Sequence, residues 1–184
     1  IYVLVDETYV EFAGNLQDIT AIPLAQYYNN IIVLRGISKF FAAPGLRLGY
    51  AVCGNRDLIK EVVGHQDPWT INTLAAIAGE IMFTDEEYIA HTRQLISSER
   101  ERICRTLDNF SGLTYYPPKA NFILLKILKD DVTAMDVFEA AIQKKLMIRD
   151  CSDFPFLNNK YFRFCIMMPD KNDELLAVIQ KLLG

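Results

Sequence analysis

Five apolar residues, Ile1-Tyr2-Val3-Leu4-Val5, run without a break into two carboxylates, Asp6-Glu7. A short run that is rich in β-branched residues and shows no alternation suits a strand covered on both faces, as in a parallel sheet. Ile31–Arg35 has the same character, and Leu48–Cys53 looks like a third such strand. Strand-like and helix-like stretches then alternate to the end of the chain, which predicts an α/β fold. The first residue is not Met and already lies in a strand-like run, so the chain reads as a piece of a longer protein.

Composition narrows the class. Of 184 residues, 51% are hydrophobic, which is too apolar for intrinsic disorder. Nineteen Lys and Arg against 23 Asp and Glu give a net charge of -4, with no basic face for a nucleic-acid partner. No apolar run nears the roughly 18–20 residues that span a bilayer, so no membrane partner is expected. Cys53, Cys104, Cys151 and Cys165 form no CxxC motif and read as free structural thiols of a cytoplasmic protein, with Cys53 and Cys165 in apolar strands. With His65 and His91 the only histidines, no metal site is expected.

The helical pattern divides the chain. Gly54-Asn55-Arg56-Asp57 turns into a short helix, and Ile71–Phe83 is a small-residue helix able to pack closely. Thr84-Asp85-Glu86-Glu87 reads as a capping box opening a long helix over about 85–109. Ile89, Leu95, Ile96, Ile103 and Leu107 line one side of it; Glu99–Arg102 reads as a solvated face, and Ser111-Gly112 stops it. Strands follow at Leu113–Tyr116 and Asn121–Ile127, then a helix over Thr133–Leu146 with Phe138, Ile142 and Leu146 on one face. Met147–Arg149 and Tyr161–Ile166 read as strands, and Asp170–Leu183 as a closing helix. Residues 1–85 thus form one domain, and residues 86–184 a small α+β domain entered through the long helix.

The chemistry centres on Gly36-Ile37-Ser38-Lys39-Phe40-Phe41-Ala42-Ala43-Pro44-Gly45-Leu46-Arg47-Leu48-Gly49. A lysine set between a buried strand and two aromatics is costly to desolvate, and burial favours the neutral amine that attacks a carbonyl. Ser38 offers a hydroxyl and Arg47 a cationic fork, both suited to a phosphate dianion. Asp6 closes the first strand, where a parallel sheet gathers its ligand groups, and a carboxylate there can pair with a ring-nitrogen cation. Tyr9 can bond a phenolic oxygen. Together these residues make the protein side of a pyridoxal 5'-phosphate site.

Asp6-Glu7-Thr8-Tyr9 resembles the D-E-x-Y strand end of the class I/II aminotransferases, a pyridoxal-phosphate-dependent family of fold type I. Ser38-Lys39 with Gly45-Leu46-Arg47-Leu48-Gly49-Tyr50 resembles their lysine attachment signature, and the 33-residue gap from Asp6 to Lys39 fits. The likeness covers the whole chain and corresponds to the C-terminal half of such an enzyme. It implies part of a mostly parallel-sheet large domain plus the small α+β domain. It implies that Lys39 condenses with the cofactor aldehyde and later carries the proton, that Asp6 keeps the pyridine nitrogen protonated, and that Tyr9 bonds the ring 3-oxygen. Ser38 and Arg47 hold the phosphate; Arg163 binds the substrate carboxylate, and Arg149 can join it on a substrate phosphate. Many relatives carry Ser or Thr where Gly36 stands, so one phosphate hydroxyl is absent. The family's N-terminal half supplies further cofactor contacts, so the resemblance implies an inactive isolated fragment. It also implies a homodimer and a small, phosphorylated amino substrate.

Pro68-Trp69-Thr70-Ile71-Asn72, Ile148-Arg149-Asp150-Cys151-Ser152 and Lys39–Gly45 lean toward threonine-phosphate decarboxylase, while histidinol-phosphate transamination is the alternative.

Overall fold

The computed structural model describes all of residues 1–184, which form two compact units, Ile1–Arg93 and Gln94–Gly184. In the first unit, β1 (Val3–Asp6), β2 (Ile31–Gly36) and β3 (Gly49–Cys53) form a sheet in the order β1-β2-β3. β1 and β2 are parallel, with Asp6 opposite Leu34; β2 and β3 are antiparallel, with Gly36 opposite Gly49. α1 (Leu16–Ile19) lies in the long β1–β2 connection, and α2 (Arg56–Gly64) and α3 (Thr73–Met82) follow β3. Asn55 and Asn72 cap α2 and α3 with side-chain oxygens that accept first-turn N–H groups. Val33, Ile37, Phe40 and Ala75 are essentially solvent-free and make the core of this unit.

Two expectations change here. β1 is not covered on both faces: it is an edge strand, and Val3 and Leu4 are 45% and 62% exposed. Thr84 does not cap the next helix, because its hydroxyl donates to Glu80 and Ile81 carbonyls at the end of the preceding one. Asp85 takes the role instead, accepting from the Tyr88 N–H at 2.9 Å. α4 then spans Glu86–Leu107, and no helix is long and apolar enough to cross a membrane.

The second unit is an α+β sandwich of the expected kind. β4 (Leu113–Tyr115), β5 (Phe122–Ile127), β7 (Tyr161–Cys165) and β6 (Arg149–Asp150) form an antiparallel sheet in that order. Burial alternates along β5 and β7, so Ile123, Leu125, Ile127, Phe162 and Phe164 face the core. Cys165 falls on the opposite face and is exposed, contrary to its apolar setting in sequence. α5 (Ala134–Ile142) opens with a true capping box between Thr133 and Asp136. It buries Ala134, Val137 and Ala141 rather than the stripe through Phe138 and Ile142. The helix ends earlier than its hydrophobic pattern, because Lys145 turns to a left-handed φ of 60° and carries Leu146 into the core by another route.

α6 (Pro169–Leu183) closes the core with Leu175, Ile179 and Leu183. It is tied to α4 by a polar network that sequence reading placed on a solvated face. Glu99 is buried, accepts both nitrogens of the Arg102 fork at 2.8 Å, and accepts the Asn172 amide at 2.7 Å. Arg102 reaches on to Asp173. The Arg102 guanidinium holds the Glu99 carboxyl below its usual range against the opposing effect of burial, with Asn172 adding to it.

Arg102 is 36% exposed and therefore screened by solvent, so Glu99→Ala is expected to cost about 2 kcal/mol, read by urea denaturation at neutral pH. A carboxylate with a lowered folded pKa stabilises fully above its unfolded pKa and loses that contribution as pH falls through the folded value. The difference between wild type and Glu99→Ala should therefore shrink in acid.

Candidate active site

Parallel strands leave a sheet at the same edge, so the loops after β1 and β2 emerge side by side. Asp6 is exposed at the end of β1, and its Oδ1 accepts the Thr8 N–H at 2.9 Å, turning the chain out of the sheet. Tyr9 follows immediately, ahead of the short turn Val10–Phe12. From the end of β2, Ile37 and Phe40 anchor the next loop in the core, with Phe40 packed between Phe12 and Phe41 at 5.2 Å from each ring. The Tyr88 hydroxyl donates to the Phe40 carbonyl at 3.0 Å. Lys39, one residue before this anchor, is carried outward, and its Nζ lies 5.6 Å from the centre of the Tyr9 ring. The amine of one loop and the phenol of the other thus share one side of the sheet edge.

The expectation that aromatic neighbours bury Lys39 is not met. Phe40 points into the core, and the lysine is exposed.

Beside Lys39 lies a cleft of about 220 Å³, whose walls include Thr8, Arg35, Gly36, Ser38, Arg47 and Gly49. Ser38 and Arg47 therefore line one concave surface. Arg47 sits at a left-handed φ of 57°, and Ala42 in the same loop at 50°, conformations that are strained for residues with a Cβ and that collect at functional sites. The Arg47 Nη1 donates to the Pro44 carbonyl at 2.9 Å, which fixes the side chain across the turn. Gly36 and Gly49 face each other where the chains cross closely. A Cβ on Gly36 would stand 3.2 Å from the Leu48 carbonyl oxygen, and one on Gly49 would stand 2.9 Å from that of Arg35. The missing hydroxyl at position 36 thus goes with a tight backbone approach.

In the second unit, Arg149 and Arg163 are cross-strand partners on β6 and β7. Their guanidiniums lie 5.5 and 5.6 Å from the Phe154 ring, and Arg163 also lies 5.1 Å from Phe122. Arg149 is paired with Asp153. The two cations thus share one aromatic surface, that of Phe154. Asn121, one residue before β5, has a buried side-chain oxygen with no hydrogen-bond partner.

Sequence reading passed over Glu7, Thr8 and Arg35. Glu7 is buried and paired with Arg35, and Thr8 and Arg35 both line the cleft. The signal was present: an arginine closing an apolar strand run needs a counter-charge, and Glu7 is the carboxylate at the matching strand end.

The chain belongs to the aminotransferase class I and II family, whose model matches residues 1–179. It is 32% identical over 183 residues to the threonine-phosphate decarboxylase of Salmonella typhimurium, covering 100% of this chain and 49% of that protein. It is 33% identical over 181 residues to histidinol-phosphate aminotransferase 2 of Archaeoglobus fulgidus, covering 98% and 50%. Among solved structures, the histidinol-phosphate aminotransferase of Clostridium acetobutylicum superposes with a TM-score of 0.91 at 26% identity, over 98% of this chain and 54% of that one. The chain spans about half the length of the curated relatives it matches.

Gly49→Ala forces a Cβ against the Arg35 carbonyl and is expected to cost about 1–3 kcal/mol, measured as a shifted denaturation midpoint at unchanged slope.

Proposed function

We propose that this chain is the C-terminal half of a pyridoxal-phosphate-dependent enzyme acting on a small phosphorylated amino compound. The observation that carries the reading is the approach of the Lys39 amine to the Tyr9 ring beside a cleft lined by Ser38 and Arg47. The donor set fits the cofactor: a carboxylate for a ring nitrogen, a phenol for a ring oxygen, an amine for an aldehyde, and a hydroxyl with a guanidinium for a phosphate. When bound, pyridoxal phosphate supplies the aldehyde that takes up an amine and a ring that accepts an electron pair.

Each residue then has a task. Asp6 holds the proton on the ring nitrogen, and Tyr9 donates to the ring oxygen. Ser38 and Arg47 bind the phosphate, and Thr8, on the same cleft wall, offers a hydroxyl where Gly36 has none. Lys39 would hold the cofactor through its aldehyde and, freed from it, would move a proton at the substrate Cα. Arg163 binds the substrate carboxylate, and Arg149 joins it on the carboxylate or the phosphate.

With the cofactor bound, either of two bonds at the substrate Cα could break. If Arg163 holds the carboxylate so that the Cα proton faces Lys39, Lys39 would take that proton and the outcome would be transamination. If the carboxylate is lost as carbon dioxide instead, Lys39 or water would return a proton to Cα. The paired Arg149 and Arg163 on one strand face, together with the motif around residues 148–152, favour decarboxylation of threonine phosphate; histidinol-phosphate transamination is the second reading.

The exposed apolar residues of β1, α2 and α3, among them Leu4, Val63, Leu74 and Ile77, support docking against an N-terminal half. Exposed Tyr27 and Tyr28 support a homodimer, and the four unpaired thiols a cytoplasmic location.

Full-length wild-type protein is expected to develop a visible absorbance band with pyridoxal phosphate, and borohydride should then fix the cofactor to the chain. Lys39→Ala should abolish that fixation; equal labelling of the variant would remove Lys39 from its role. With threonine phosphate, carbon dioxide release without an amino acceptor marks the decarboxylase. Glutamate formed from histidinol phosphate and 2-oxoglutarate marks the transaminase.

A further inference from the structure

Asp6 and Glu7 are adjacent, and side chains in an extended chain alternate between faces. Asp6 is exposed at the strand end, whereas Glu7 is 5% exposed and turned inward. The backbone pairing runs one residue past the strand, as the Glu7 N–H donates to the Leu34 carbonyl at 2.9 Å. The Glu7 carboxylate then gathers donors from two other segments. Its Oε2 accepts Nε and Nη2 of Arg35 at 3.0 and 2.8 Å, and its Oε1 accepts the Ala21 N–H. The Thr20 hydroxyl donates to Glu7 at 2.9 Å and accepts from the same Arg35 Nη2 at 2.8 Å. Glu7, Thr20 and Arg35 therefore close a three-membered ring of charge-assisted bonds, worth about twice neutral ones. Burial alone pushes the Glu7 carboxyl up, but the donations from Ala21, Arg35 and Thr20 outweigh it and hold it below the usual range.

This ring sits between the two loops that carry the candidate chemistry. Just past β1, Glu7 is flanked by Asp6 and Thr8. On β2, Arg35 is followed by Gly36, then Ser38 and Lys39. Arg35 and Thr8 themselves line the phosphate cleft.

We propose that the Glu7–Thr20–Arg35 ring is a positioning device that sets the spacing between the Asp6 carboxylate and the Lys39 amine, and with it the fit of a cofactor that must touch both. This rests on the cofactor reading above. Glu7 faces away from Asp6 and touches no reacting atom; it acts through the strand ends it joins. The pairing of β1 with β2 ends at Asp6 opposite Leu34 and the one further bond from the Glu7 N–H to the Leu34 carbonyl; β3 holds Arg35 and Gly36 from the other side, and the ring joins the two chains past that last bond.

The test uses the full-length protein with added pyridoxal phosphate. Glu7→Gln keeps the shape, removes the charge and leaves Arg35 facing an amide. Misplacing a held group by a fraction of an ångström to an ångström is expected to lower cofactor affinity about tenfold or more. The visible circular dichroism of the bound cofactor should change with it, and kcat should fall more than KM rises. Thr20→Val, which removes one hydroxyl at nearly constant volume, should move all three readouts the same way by a smaller factor. It carries the test alone if Glu7→Gln unfolds by far-ultraviolet circular dichroism at the assay temperature. Variants that melt lower yet bind cofactor with wild-type affinity and an unchanged visible spectrum would overturn the proposal and leave the cofactor reading standing. Wild-type protein that takes up no cofactor would overturn both.

Discussion

The parallel pairing of β1 with β2 puts two loops of unlike chemistry at one sheet edge. One begins with an acid and a phenol, Asp6 and Tyr9; the other brings a hydroxyl, an amine and a guanidinium, Ser38, Lys39 and Arg47. An antiparallel pairing of the same strands would send the loops to opposite ends of the sheet and disperse the set. β3 then returns antiparallel to β2, so that its first residue, Gly49, meets Gly36 at the floor of the cleft. The geometry of the first unit follows from strand direction, with side chains refining it.

The second unit works by a different principle. Its sheet is antiparallel, and alternation along β5 and β7 sends one set of side chains inward and leaves the other free for chemistry. Arg163 is on the free set, between Phe162 and Phe164 of the core. Register with β6 brings Arg149 opposite it. The Glu99, Arg102 and Asn172 network ties α4 to α6 and gives this unit one buried polar connection.

What the sequence made legible was the part written in local pattern. The apolar runs marked the strands, the 3.6-residue stripes marked the long helices, and the glycine- and arginine-bearing loop after β2 marked residues that line the cleft. What escaped it was set by partners distant in sequence. Glu99 read as solvated because the amide that desolvates it comes from Asn172. Thr84 is a local exception: its hydroxyl is engaged by the Glu80 and Ile81 carbonyls just behind it, which a capping pattern read forward along the chain leaves out. The exposure of Lys39 depends on Phe40 having a core site against Phe12, which no spacing rule reveals. Glu7 and Arg35 were legible only as a pair, since a buried charge announces its partner's existence without its position.

β1 has a second edge that no strand of this chain occupies. Its peptide groups point outward in a row, and Val3 and Leu4 flank them with apolar surface. A ribbon of that kind is a template for any passing backbone, including its own duplicate, and carries no proline or lysine to turn such company away. Production of these 184 residues in isolation therefore faces a solubility hazard rooted in four residues, and a charge placed on Leu4 is where a gatekeeper belongs.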